Sequence, residues 1–200
     1  MSSKLRIIAL VHEHLVPPET VPDGIDPVTA EWRTEYDVVS TLRALGHEVQ
    51  PLGVHDDLGE IRRMFQEWKP QIAFNLLEAF NDVSIFDQNV VSFLELLKLP
   101  YTGCNPRGLL LARDKSLSKK LLSYHRLPAP ESEVFRIGRP VQRPKRLAFP
   151  LIVKSLTKEG SVGIAQQSVV SNDDELAERV RLVHERQKTH AIAEQYIDGR

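Results

Sequence analysis

A chain of 200 residues, 42% hydrophobic and 26% charged, holds enough apolar sequence to bury a core, which excludes intrinsic disorder. Its 26 basic and 27 acidic residues leave a net charge of −1, without the electrostatic footprint that a nucleic-acid binder needs. The single cysteine, Cys104, excludes an intrachain disulfide and a cysteine-built zinc cluster, and no run approaches the ~18 apolar residues of a membrane span.

Met1-Ser2-Ser3-Lys4-Leu5 moves directly into a strand-like run without the apolar stretch of a signal peptide, so the expectation is a cytoplasmic α/β protein. Residues 5–11 (LRIIALV) are almost continuously apolar, the pattern of a buried strand in a parallel sheet. Over 29–45, Trp32, Tyr36, Val39, Leu42 and Leu45 recur every three or four residues along one helical face, and Gly46 supplies the stop. Residues 47–53 suit a second strand. Residues 57–68 present Ile61, Met64, Phe65 and Trp68 on one face of a second helix, which Pro70 ends. A third strand is expected over 71–77, a third helix over 84–97, and a short extended piece at Pro100-Tyr101-Thr102-Gly103. This alternation predicts a mostly parallel sheet, whose ligands bind beyond the carboxyl ends of the strands. Those ends carry His12-Glu13-His14 and Asn75-Leu76-Leu77-Glu78.

From Asn105 the pattern changes, which places a boundary between a 1–104 α/β domain and a 105–200 lobe. Helices over 106–112 and 114–124 lead to the turn Leu127-Pro128-Ala129-Pro130. Strands are expected over 133–137, 151–154 and 163–170, with a basic, proline-containing loop over 136–146. A helix over 171–188 opens on Asp173, Asp174 and Glu175, matching its dipole, and a strand over 191–197 follows. Strands in hairpin-like succession flanked by helices predict an α+β lobe.

Lys154 ends an apolar strand, and Glu159-Gly160-Ser161-Val162-Gly163 forms a small-residue loop just beyond it. A strand-held lysine beside glycine-freed amides can cradle phosphate; a hairpin turn ending in a lysine is equally consistent with the local pattern. Neither G-x-x-x-x-G-K-[ST] nor G-x-G-x-x-G occurs, which removes P-loop and dinucleotide fingerprints and a nucleotide-cofactor oxidoreductase with them. Lys115 follows Asp114, a helix N-cap, where a cation opposes the dipole unless an anion is held nearby; a surface lysine is the plainer reading. An edge backbone at Glu194-Gln195-Tyr196-Ile197 could pair with a purine, or simply lead into a turn. His12, Glu13 and His14 are adjacent, and adjacent strand positions face opposite ways, so no metal ligand set is expected within the chain. Ser161 has no histidine nearby in sequence to activate it as a nucleophile, and Cys104 is expected as a buried small hydrophobe.

The ordered set Pro100-Tyr101-Thr102-Gly103, Asp114-Lys115 with Lys119, Phe149-Pro150-Leu151-Ile152-Val153-Lys154, Glu159-Gly160-Ser161-Val162-Gly163-Ile164 and Glu194-Gln195-Tyr196-Ile197-Asp198-Gly199 resembles the ATP-grasp superfamily, and within it D-alanine–D-alanine ligases. The resemblance implies a Rossmann-like pre-ATP-grasp domain followed by the first lobe of an ATP-grasp fold. It implies that Lys115 and Lys154 hold ATP phosphates. Gly160, Ser161, Val162 and Gly163 would close over them with Ser161 as the catalytic contact, and Glu194, Gln195 and Ile197 would bind adenine. The implied reaction phosphorylates a carboxylate with ATP and Mg²⁺ and lets an amine attack the acyl phosphate. It uses small-molecule substrates, and a homodimer is compatible with it.

Three departures qualify the resemblance. Val11-His12-Glu13-His14-Leu15-Val16-Pro17-Pro18 stands where the family has a glycine-rich segment and a substrate-binding glutamate. Glu13, Glu31 or Glu35 is available as a replacement, Glu78 lies where a His-Gly segment is usual, and D-alanine is not carried over as substrate. The third concerns Arg200: the ribose-contacting glutamate and the Mg²⁺ ligands are expected beyond it, so these residues are read as the N-terminal portion of a ligase, inactive alone. The alternative is a catalytically inert nucleotide- or partner-binding module.

Overall fold

A run that is apolar at consecutive positions needs cover on both sheet faces. In the computed structural model, which describes residues 4–158 and 166–199, that run is β1 (Arg6–His12), central in a parallel sheet. It lies between β2 (Glu48–Val54) and β3 (Ile72–Asn75), in register Ile7↔Val49 and Ile7↔Ile72. Strand alternation divides its side chains. Ile7 and Ala9 pack with Val39 of α1 (Arg33–Ala44), whereas Ile8 and Leu10 pack with Ile61 of α2 (Gly59–Glu67) and Val90 and Leu94 of α3 (Asp87–Leu96). The short extended piece is a single parallel bridge, Ala73↔Tyr101, and the Thr102 hydroxyl accepts the Asn75 amide at 3.0 Å.

Two expected helices start late. Asp26 captures the Val28 amide with its side chain at 2.9 Å and the Thr29 amide with its carbonyl at 3.2 Å, holding that stretch in turns until Arg33. The third opens as a 3-10 turn over Ser84–Phe86 before α3. Gly46 does stop α1: its φ is +90°, and its amide and that of His47 return to the Arg43 and Leu42 carbonyls.

The chain divides into two units, Met1–Leu109 and Leu110–Arg200. After α4 (Pro106–Arg113), the second contains α5 (Lys115–Tyr124), β4 (Ser132–Phe135), β5 (Leu151–Ser155), β6 (Val169–Val170), α6 (Asp173–Gln187) and β7 (Ala191–Gln195). Its strands form an antiparallel sheet in the order β4-β7-β5-β6. Leu151, Val153, Ala191 and Ala193 bury one face against Leu176, Val180 and Val183 of α6. The strand expected over 163–170 is reduced to Val169–Val170, preceded by a 3-10 turn over Gln166–Ser168, and 163–165 lie outside the described residues. Ser168 is fully buried there and its hydroxyl accepts from Arg179 at 2.6 Å, an arrangement that takes it out of the strand ladder. β7 stops at Gln195 because Tyr196 donates to the Pro150 carbonyl and proline has no amide to return. Among the described residues no helix is long and apolar enough to cross a membrane.

Candidate functional site

The face of the antiparallel sheet away from α6 carries Ile152, Lys154, Ile192 and Glu194 by strand parity. Antiparallel register pairs Lys154 with Ile192 and Ile152 with Glu194, so Lys154 and Glu194 are diagonal neighbours, a gap of roughly 7–8 Å that long side chains span. Lys154 Nζ donates to Glu194 Oε2 at 3.2 Å, and Lys119 Nζ from α5 stands 3.6 Å from the same oxygen. Lys119 also donates to the Pro130 carbonyl at 3.1 Å. All three groups are well covered, with side-chain exposures of 25% for Lys154, 16% for Lys119 and 10% for Glu194. Two ammonium groups around one carboxylate leave a local excess of positive charge in a partly dry setting, the arrangement that attracts a polyanion.

α5 is set by Asp114, whose Oδ1 accepts the Ser116 and Leu117 amides at 2.9 Å, the N-cap expected from sequence. Lys115 follows, and its Nζ donates to the Lys158 carbonyl at 2.7 Å, immediately before the glycine-containing loop. Gly160, Ser161, Val162 and Gly163 of that loop lie outside the described residues.

The residues expected to bind adenine, Glu194, Gln195 and Ile197, do not form an open strand edge. β7 lies between β4 and β5, so its backbone is engaged on both sides. The Gln195 amide donates to the Glu131 carbonyl at 2.8 Å, while Ile197, past the strand, is 59% exposed. Glu194 therefore offers its side chain rather than a free backbone edge. A cavity of about 630 Å³ opens beside α5 and β4, lined among others by Lys119, Lys120, Glu131, Glu133, Arg136 and Arg146. It shares Lys119 with the cluster, but Lys115, Lys154 and Glu194 do not line it and its charges are mixed. The lysine–glutamate cluster is thus the more specific feature.

In the first unit, Glu13 and Glu78 are both exposed beyond strand ends, as is Glu31 near α1. Glu35 in the first turn of α1 is buried, and its Oε2 has no hydrogen-bond partner among the described residues. Cys104 is exposed rather than buried. It precedes Asn105, whose side chain takes the Gly108 amide at 2.8 Å, and its sulfur occupies the space a Cβ on Gly108 would fill.

The carboxyl ends of β1 and β2 gather a group that the sequence pattern missed. His12 ends β1, but Glu13 and His14 belong to a 3-10 turn, so strand alternation no longer separates them. That turn lies against β2 at Gly53, where a Cβ would stand 2.7 Å from Val16 Cγ2 and 3.0 Å from Glu13 Cα. His55 Nε2 lies 3.3 Å from Asp82 Oδ2, and His12 Nε2 lies 3.7 Å from Asp82 Oδ1. The hydrogen bond to Asp82 raises the His55 pKa above the usual imidazole value; burial opposes this, and the charges of Glu13, Asp82 and Asp56 add to it. The available sequence signals were the Asn81-Asp82 turn dipeptide and the histidine just past β2.

No family model matches the chain. It is 29% identical over 191 residues to the uncharacterised protein y4sG of Sinorhizobium fredii, covering 92% of this chain and 52% of that protein. It is 30% identical over 167 residues to the D-alanine–D-alanine ligase of Desulforudis audaxviator, covering 81% of this chain and 51% of the ligase. The fold matches that of the Bacillus anthracis D-alanine–D-alanine ligase with a TM-score of 0.72 at 22% identity, over 98% of this chain and 58% of that one. The L-amino acid ligase of Bacillus licheniformis matches with a TM-score of 0.61 at 18% identity, over 99% of this chain and 48% of that one. The chain spans about half the length of the curated relatives it matches. In sequence and fold it is similar to D-alanine–D-alanine ligases of the ATP-grasp type.

Proposed function

From that likeness we propose that the chain carries the nucleotide-binding part of an ATP-dependent carboxylate–amine ligase. The observation that carries this reading is the meeting of Lys154, Lys119 and Glu194 on one sheet face. In the proposed reaction the terminal phosphoryl group of ATP passes to a carboxylate, giving ADP and an acyl phosphate. An amine then attacks the acyl carbon, an amide bond forms, and phosphate leaves. The barrier is lowered by positioning and by neutralising charge on the transferred group. On this reading the Lys154 ammonium turns from Glu194 to a phosphate oxygen, Lys115 does the same from the Lys158 carbonyl, and Lys119 keeps Glu194 compensated. The second Glu194 oxygen then accepts from the adenine amino group. Gln195 and Ile197 border the base, and the loop with Gly160, Ser161, Val162 and Gly163 excludes water from the labile acyl phosphate.

The cluster fits ATP but not magnesium. Its carboxylate already lies between two ammonium groups, which repel a divalent cation. These residues are proposed to bind nucleotide without turnover on their own. Glu13 and Glu78 remain the proposed substrate contacts.

The test is calorimetric titration of the chain with ATP. Lys154→Met should weaken binding by at least about tenfold, or ~1.4 kcal/mol, with the melting temperature of the free protein little changed. Binding that is absent in the native chain, or undiminished in the variant, would reject the reading.

A further inference from the structure

We propose that His12, His55 and Asp82 form a binding site for a first-row divalent transition cation, with zinc as the type. One ligand atom from each residue lies within 4.8 Å of the others. Zinc bonds of about 2.0–2.1 Å at tetrahedral angles put neighbouring donor atoms about 3.3 Å apart. His55 Nε2 stands at that spacing from Asp82 Oδ2, 3.3 Å, and His12 Nε2 lies 3.7 Å from the other oxygen, Oδ1, so the carboxylate faces both rings. The remaining pair closes by side-chain rotation. Two imidazoles and one carboxylate suit zinc, nickel, copper or iron, whereas magnesium prefers an octahedral set of oxygens.

The surroundings match such a site. A histidine that ligates through one ring nitrogen needs an acceptor for the proton on the other. His55 Nδ1 faces Glu13 Oε1 at 3.5 Å and Asp56 Oδ1 at 4.0 Å, on the side away from Asp82. Asp82 is delivered by the backbone: Asn81 and Asp82 have φ of 50° and 58°, the pairing of a type I′ turn, closed by the Phe80–Val83 bridge. The Asn81 amide donates to the His55 carbonyl at 2.7 Å, fixing the turn to the segment that carries the histidine. Ligation through His12 Nε2 moves the ring proton to Nδ1, which gives up only the long 3.4 Å bond from the exposed His14 amide. Three protein ligands leave a coordination position for water or an anionic group.

The site belongs to the first unit and does not depend on the nucleotide reading. Calorimetric titration with Zn²⁺ in mildly alkaline buffer should show saturable binding of one ion per chain, and Mg²⁺ in excess should not displace it. Cobalt in place of zinc should give visible d–d absorption. His55→Ala and Asp82→Asn should each lower zinc affinity by at least about tenfold. The Asp82 side chain is 79% exposed, so Asp82→Asn decides the matter even where His55→Ala fails to fold. Absence of saturable zinc binding, an affinity unchanged in Asp82→Asn, or displacement by magnesium would overturn the proposal.

Discussion

Arg143 and Asp173 show how one residue pair couples the second unit to pH. The guanidinium contacts both carboxylate oxygens at 2.7 and 3.2 Å, donates to the Leu147 carbonyl at 2.6 Å, and lies 4.3 Å from the centre of the Phe149 ring. The hydrogen bond from Arg143, aided by its charge and opposed by burial, holds the Asp173 carboxyl below the usual range. A depressed pKa means that the unfolded chain takes up the proton first. The contribution to stability is therefore complete above the unfolded value, about 3.9, and is lost as pH falls through the folded one. The stability difference between the native chain and Asp173→Asn should be constant at neutral pH and shrink in that acid window. Urea unfolding across a pH series measures it; a difference that stays flat into acid would contradict the account. The same residue-scale logic explains why Lys154 and Glu194 were legible: their strand positions fix their faces, and the resemblance gives those positions chemistry. His55 and Asp82 were not, because a 3-10 turn and a left-handed turn, rather than a periodic pattern, bring them to His12.

At the scale of elements, α6 is the support on which the lysine–glutamate face is built. Asn172 Oδ1 takes the Glu175 amide at 2.9 Å, and Glu175 returns its carboxylate to the Ser171 amide at 2.7 Å, a reciprocal cap. Leu176 then sits 1% exposed against β5 and β7. Asn172→Ala should cost ~1 kcal/mol, whereas Leu176→Ala should cost about 2–5 kcal/mol, since it opens a cavity in the core. Chemical denaturation gives both values, and equal losses would mean that α6 is held by its cap rather than by its packing. The acidic first turn and the periodic apolar positions made this helix readable. β6 was expected over 163–170 but its short extent was not readable, because its two residues are defined by pairing to β5 and by the buried Ser168–Arg179 bond, neither of which leaves a local pattern. β1 was readable for the opposite reason: burial on both faces demands an unbroken apolar run, and few other elements do.

For the molecule as a whole, the two proposed sites place different ligands in different units. The His12–His55–Asp82 group lies in Met1–Leu109, and the Lys154–Lys119–Glu194 group lies in Leu110–Arg200, each beside its own hydrophobic core. A ligand that binds only the folded form stabilises the segments it touches and slows their local opening. Hydrogen exchange should therefore separate the two. ATP should slow exchange in α5, at the end of β5 and in β7, where its phosphates and base would contact Lys115, Lys154 and Glu194. Zinc should slow exchange at the amides of His14 and Val83 and through the segment following β2, where the turn and the strand ends carry the ligands. The assignment fails if ATP protects the β1 and β2 ends instead, because the lysine–glutamate face would then not be the nucleotide site. It fails equally if zinc protection appears around His184 or His190, since the ion would then be held by histidines of the second unit.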